Sequence, residues 1–97
     1  MQKDYLIALD EFCASHNIEI SFVMSLAQNG LIEIRTSHET RFIDLSQISQ
    51  LEKYVRFYYE LDINLEGIET ITSLLRRISI MQDEITLLRN RLRLYES

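Results

Sequence analysis

Two rows of apolar residues, each repeating every seven positions, run through the last third of this chain. Ile71, Ile78, Ile85 and Leu92 form one row, and Leu74, Met81, Leu88 and Tyr95 form the other, three residues further on. From Asn64 to Tyr95 there is no proline, and the one glycine, Gly67, stands near the start. Apolar residues alternating at spacings of three and four make the seam of a coiled coil. At 1.5 Å per residue such a helix is roughly 45–50 Å long. A chain of 97 residues cannot bury a rod of that length inside one globule. The seam is therefore expected to meet another chain, most simply a second copy; the alternative is a long core helix folded back on one domain. Arg77, Glu84 and Arg91 flank the seam on one side, and Gln82, Arg89 and Glu96 on the other. Charges in such places set pairing and register, which is the reading preferred here to a nucleic-acid stripe made by Arg76, Arg77, Arg89, Arg91 and Arg93. Ile80, Leu87 and Leu94 add a further apolar row beside the seam. A face that wide implies packing on something besides one partner helix. The pattern leaves open whether two such rods run parallel or antiparallel.

The remaining residues suffice for one small domain, so the expected division is 1–62 and 63–97 within a single structural unit. Charge is distributed unevenly between the two ends. Met1 to Thr70 holds five Lys/Arg against twelve Asp/Glu, a net of −7, while Ile71 to Ser97 holds five Arg against three acids, a net of +2; together they give the chain's −5. An acidic body repels phosphate backbones and attracts basic partners. No apolar run approaches the ~20 residues that span a bilayer. Met1-Gln2-Lys3-Asp4 lacks the layout of a signal peptide, so no membrane association and a cytoplasmic location are expected. Cys13 is the single cysteine, which excludes an internal disulfide and a cysteine metal cluster.

Along the chain, Asp4-Tyr5-Leu6-Ile7 has the makings of a short strand. Leu9 to His16 reads as a helix with Leu9, Phe12 and Cys13 on one face. Asn17-Ile18 is a turn, and Glu19 to Asn29 is a second helix burying Ile20 or Phe22, with Val23, Leu26 and Ala27. Asn29-Gly30 ends it, because glycine accepts the left-handed conformation. Leu31 to Arg35 alternates apolar and charged residues in strand period, Thr36 to Thr40 is a polar turn, and Arg41-Phe42-Ile43 returns as a second strand. Asp44 or Ser46 can cap a third helix reaching to about Leu61, with Ile48, Leu51, Val55 and Tyr58 on its buried side. Asp62-Ile63-Asn64 breaks the chain before the long helix. Asn64 is a candidate cap, and Glu66 sits in the first turn, where a carboxylate suits the helix dipole.

This order of elements resembles the MerR family of winged helix-turn-helix proteins. Leu9-Asp10-Glu11-Phe12-Cys13 resembles that family's first helix, and Asn29-Gly30-Leu31-Ile32 its passage from second helix to wing. Phe42 to Ile48 resembles the wing's return strand leading into the third helix, and Leu61 to Ile68 the approach to the next one. Within the family the chain is most similar to the CbpM-like chaperone modulators, through Glu11-Phe12-Cys13, Leu65-Glu66-Gly67-Ile68 and Leu87-Leu88-Arg89-Asn90-Arg91-Leu92. The resemblance covers about Tyr5 to Leu94. It implies a mainly α fold with a small β-hairpin wing and a long C-terminal coiled-coil helix, paired antiparallel in a homodimer. It also implies binding to the J-domain of a DnaJ/CbpA-like co-chaperone, restraining its cooperation with Hsp70 (DnaK), with no cofactor and no catalysis. The alternative is a MerR-like dimeric DNA-binding transcription regulator. Such a protein is expected to carry arginines on its second helix, yet Glu19 to Asn29 has neither Lys nor Arg. Ser21, Ser25, Gln28 and Asn29 suit base contacts, but without cations little holds them on a polyanion, so nucleic acid is not the expected partner. Arg35 and Arg41 on the wing have Glu33 and Glu39 beside them.

No catalytic arrangement emerges. His16 and His38 are expected in separate loops, without carboxylates at ligand spacing, and no glycine-rich phosphate loop exists. Cys13 is expected to be a buried, inert thiol. Tyr54, Phe57, Tyr58 and Tyr59 form an aromatic cluster from which Tyr59 and Arg56 should reach solvent; tyrosine suits interfaces because it buries area yet keeps a polar tip. The acids nearest in sequence are Asp62, Glu66 and Glu69, the last two on one helix face. Tyr58, Tyr59, Asp62, Glu66 and Glu69 are thus the candidate partner-binding residues. The resemblance supplies the charge match, since the J-domain's second helix is basic in that family. The plainer alternatives are rings packed against the long helix or the dimer mate, and a solvated acidic face.

Overall fold

The structure, a computed structural model, describes residues 5–96. Strand β1 (Leu6–Ala8) leads directly into helix α1 (Leu9–His16), followed by α2 (Ile20–Gln28), β2 (Ile34–Ser37) and β3 (Thr40–Asp44). A 3-10 turn (Leu45–Gln47) opens helix α3 (Ile48–Val55), a π-helical turn (Arg56–Glu60) closes it, and α4 (Leu65–Glu96) completes the chain. The fold is mainly helical with a small antiparallel sheet. Two compact units result, one reaching Leu65 and one starting at Glu66.

The first unit is built on α1 and α2. Leu9, Phe12 and Cys13 are buried on α1, and Phe22, Val23 and Leu26 on α2, so the spacing of three and four marks the inward face correctly. Of the two candidates on α2, Phe22 is buried, Ile20 is half-buried, and so is Ala27. Asn17 takes the left-handed conformation (φ 56°) that ends α1, and Ile18, which follows, is buried as well. Gly30 does the same after α2 at φ 76°, a conformation open to glycine without steric penalty.

The sheet has three strands in the order β1-β3-β2, so the first strand completes the hairpin's sheet from the other side. In its register Ile7 faces Ile43, and Ile34 also faces Ile43; alternation puts these side chains on one face, where Ile43 is fully buried. The expected strand at residues 4–7 is displaced to 6–8, and Asp4 lies outside the described residues, as does the rest of the Met1–Asp4 segment. The strand expected at Leu31–Arg35 starts only at Ile34. The reason is a competing partner: Glu33 donates its amide to Gln47 Oε1 (2.7 Å) and accepts from Gln47 Nε2 (3.1 Å), which occupies the backbone groups a strand ladder needs. The turn is also shorter than Thr36–Thr40. It consists of His38 and Glu39, both at positive φ (50° and 65°), as a two-residue type I′ hairpin turn requires.

In α3 the buried residues are Leu51 and Tyr54, while Ile48 and Val55 are half-buried and Tyr58 is exposed. This corrects the expected face of Ile48, Leu51, Val55 and Tyr58. The ordinary helix ends at Val55, and Leu61 bonds back to the Arg56 carbonyl at 3.2 Å, five residues earlier. A turn widened by one residue shifts the phase of everything after it. Tyr54 satisfies its buried hydroxyl by accepting from Gln50 Nε2 (2.8 Å) and donating to the Leu31 carbonyl (3.4 Å).

Helix α4 is one uninterrupted element of 32 residues with Glu66 in its first turn. Ile68 is its buried residue. Of the two seam rows, Ile71 is half-buried, while Leu74, Ile78, Met81, Ile85, Leu88, Leu92 and Tyr95 are all exposed. Ile80, Leu87 and Leu94 are exposed too. No helix among the described residues is long and apolar enough to cross a membrane.

Candidate functional site

Phe22 begins the site from the inside. Its ring is buried on α2 and stacks on Tyr58 with centroids 4.2 Å apart and planes 22° from parallel. Tyr59 meets both rings edge-on, 5.8 Å from Phe22 and 5.0 Å from Tyr58. Offset and edge-to-face pairs of this kind contribute about 0.5–1.5 kcal/mol each beyond burial. The cluster therefore grades from a buried ring to two tyrosines that reach solvent, Tyr58 at 36% and Tyr59 at 40% exposure. The sequence grouped Tyr54 and Phe57 with these tyrosines. Tyr54 instead lies in the core, bonded to Gln50 and Leu31, and the ring that completes the cluster comes from α2.

The π-helical turn places this pair. The wider turn aims consecutive tyrosines at α2, and the Tyr59 hydroxyl accepts the Glu19 amide at 3.0 Å. Glu19 precedes α2 and has no side-chain cap there, so the tyrosine satisfies a donor at the helix start. After the turn, Ile63 donates to the Phe57 carbonyl at 2.9 Å and Asp62 adopts φ 55°. The chain thus folds back beside the rings. Tyr58, Tyr59, Asp62, Ile63 and Asn64 line a cleft of about 330 Å³. Three of the five candidate partner-binding residues, Tyr58, Tyr59 and Asp62, are brought together there. The other two, Glu66 (exposed) and Glu69 (half-buried), belong to α4.

Other candidates take different places. His16 is no loop residue: it closes α1, stacks on Phe12 at 4.2 Å, and its Nδ1 lies 3.0 Å from the Phe12 carbonyl. His38 is in the hairpin turn. Among the described residues no three of His, Cys, Asp and Glu converge in a metal-holding group. Burial pushes the Cys13 thiol above its ordinary pKa, the Asp10 charge adds to this and Arg41 opposes it; a thiol so placed is a poor nucleophile.

Two of the four side chains suited to base contacts, Ser25 and Asn29, are engaged locally. Ser25 Oγ donates to the Ser21 carbonyl (3.0 Å), and Asn29 Nδ2 donates to the Ser25 carbonyl (2.8 Å). Arg41 of the wing lies 3.7 Å from Asp10. Helix α2 itself carries no cation.

Residues 7–90 match the family described as MerR HTH family regulatory protein. The chain is also 25% identical over 96 residues to the chaperone modulatory protein CbpM of Pseudomonas entomophila (strain L48), covering 95% of this chain and 94% of that one. No solved structure matches it.

Proposed function

Because this chain belongs to the MerR helix-turn-helix regulatory family, we propose that it is a regulator of the chaperone-modulator kind, acting on a protein rather than on DNA. Its target is the J-domain of a DnaJ/CbpA-like co-chaperone, and its effect is to restrain that co-chaperone's cooperation with Hsp70 (DnaK). The observation that carries this reading is the cleft of Tyr58, Tyr59 and Asp62, which presents exposed rings beside a carboxylate and has no Lys or Arg in its lining. Such a surface favours a cationic protein face and disfavours phosphate. The similarity to a chaperone modulatory protein along nearly the whole chain supports the same reading. Glu66 and Glu69 of α4 are assigned to the same partner by their charge alone. The active form is a homodimer closed along Ile71, Leu74, Ile78, Met81, Ile85, Leu88, Leu92 and Tyr95. It works in the cytoplasm without a cofactor and without catalysis.

Titration calorimetry with an isolated J-domain tests this. Binding should weaken as salt rises, since exposed charges are screened within about 10 Å at 0.1 M. Reversing Glu66 and Glu69 to Lys together should weaken it about tenfold or more. Unchanged affinity in the double variant removes the two acids from the interface. No J-domain binding, together with a duplex footprint of two symmetry-related half-sites, makes the chain a transcription regulator instead.

A further inference from the structure

Helix α2 carries a second cleft that the sequence did not announce. It encloses about 160 Å³ and is lined by Glu19, Ser21, Phe22, Ser25, Tyr58 and Leu65. Tyr58 also lines the first cleft, so a single ring is a wall of both. The bond from the Glu19 amide to the Tyr59 hydroxyl ties the two margins together. Across both linings there are two carboxylates, Glu19 and Asp62, and no Lys or Arg. Among the described residues neither carboxylate has an ion-pair partner; the pair that does form, Arg41 with Asp10, involves other groups. Glu19 lines one cleft and Asp62 the other, and the ring shared by both linings is Tyr58. Phe22 is the buried base of the cluster and the two tyrosines are its exposed crest.

We propose that the two clefts are one docking groove, and that it takes a protein segment in which two cationic side chains bracket an apolar one. One cation meets Glu19, the other meets Asp62, and the apolar side chain rests on the tyrosine crest. An arginine suits either end, because its guanidinium both pairs with a carboxylate and stacks on a tyrosine face. Phosphate-bearing ligands are repelled by both acids. This rests on the protein-binding reading above and adds helix α2 to the surface, with Glu19 selecting for charge.

Two ligands separate this inference from the co-chaperone reading. One is an isolated J-domain; the other is a synthetic helical peptide, unrelated to any co-chaperone, with two arginines bracketing a leucine. The full chain, labelled with 15N, is titrated with each. The amides of Glu19, Ser21 and Ser25 should shift in step with those of Tyr58 and Asp62. Glu19→Lys and Asp62→Lys should each weaken both ligands about tenfold. Both side chains are exposed, but Asp62 holds φ 55° and Glu19 stands at the start of α2. Glu19→Gln and Asp62→Asn, which remove charge without reversing it or straining the backbone, should therefore leave thermal unfolding nearly unaltered and weaken binding by less than the Lys variants. If Asp62→Lys weakens the J-domain and Glu19→Lys does not, the groove ends at the first cleft and the inference fails while the co-chaperone reading stands. If the peptide shifts both sets of amides and the J-domain shifts none, the groove stands and the co-chaperone reading falls. If neither ligand binds, or if the same amides shift with chain concentration alone, the groove has another occupant and the inference is overturned.

Discussion

Asp44, the last residue of β3, caps the 3-10 turn that follows with its own side chain. Its carboxylate accepts the Ser46 amide at 2.9 Å. That bond, then one from the Ser46 side chain, hold its carboxyl below the ordinary pKa; slight burial opposes them, and Arg35 adds to the lowering. A carboxyl with a lower pKa in the folded chain than in the unfolded one contributes stability above the unfolded value, near 4. The contribution is lost as pH falls from there through the folded value. Asp44→Asn should therefore leave a shallower acid limb than the native chain when urea midpoints are compared at neutral pH and at about pH 3. The cap was legible in the sequence because Asp precedes a helical run, which is a local signal. Tyr54 was not. Its place in the core depends on Gln50 and on a carbonyl 23 residues away, and no local rule connects those groups.

At the scale of elements, the hairpin turn is where local chemistry disagrees most with the conformation adopted. His38 and Glu39 both hold positive φ, which costs a residue with a side chain about 1–2 kcal/mol. Asparagine and glycine meet that requirement without the penalty. Replacing His38 by Asn and Glu39 by Gly together should stabilise the domain by about 1 kcal/mol, read as a higher urea midpoint at unchanged slope. The helices α1 and α2 were legible because their apolar spacing and left-handed stops are local. The short strand β2 was misplaced because the Gln47 side chain takes up the Glu33 backbone. The aromatic site was half legible. Tyr59 was expected to reach solvent, but Tyr58 was assigned to the buried side of the helix because the widened turn's change of phase leaves no local mark, and a ring contributed from a distant helix leaves none either. Phe22 shared its candidacy with Ile20 for the inward face, and only the packing of α2 against the π-helical turn decides between them.

For the whole molecule, the long helix sets the question of assembly. Leu74, Ile78, Met81, Ile85, Leu88 and Leu92 stand exposed along α4, far more apolar surface in one line than single scattered side chains would leave. The rod was legible from its sevenfold repeat; its covering is not written in one chain. Placing Asp at both Ile78 and Ile85 should turn a dimer into a monomer at micromolar concentration, checked by sedimentation equilibrium, because each buried carboxylate would lack a partner. The core around Leu51 and Tyr54 lies in the other unit and should retain its near-ultraviolet signal. The π-helical turn bears on the molecule differently. Arg56 to Glu60 closes its ring of bonds one residue wide, so the tyrosines' aim is a matter of counting rather than of chemistry. Dropping one codon there would rotate the residues that end the turn by about 100° while changing almost nothing in the sequence. Kin that differ by a single-residue gap at this point should diverge in the ligands they hold, however alike the rest of their letters.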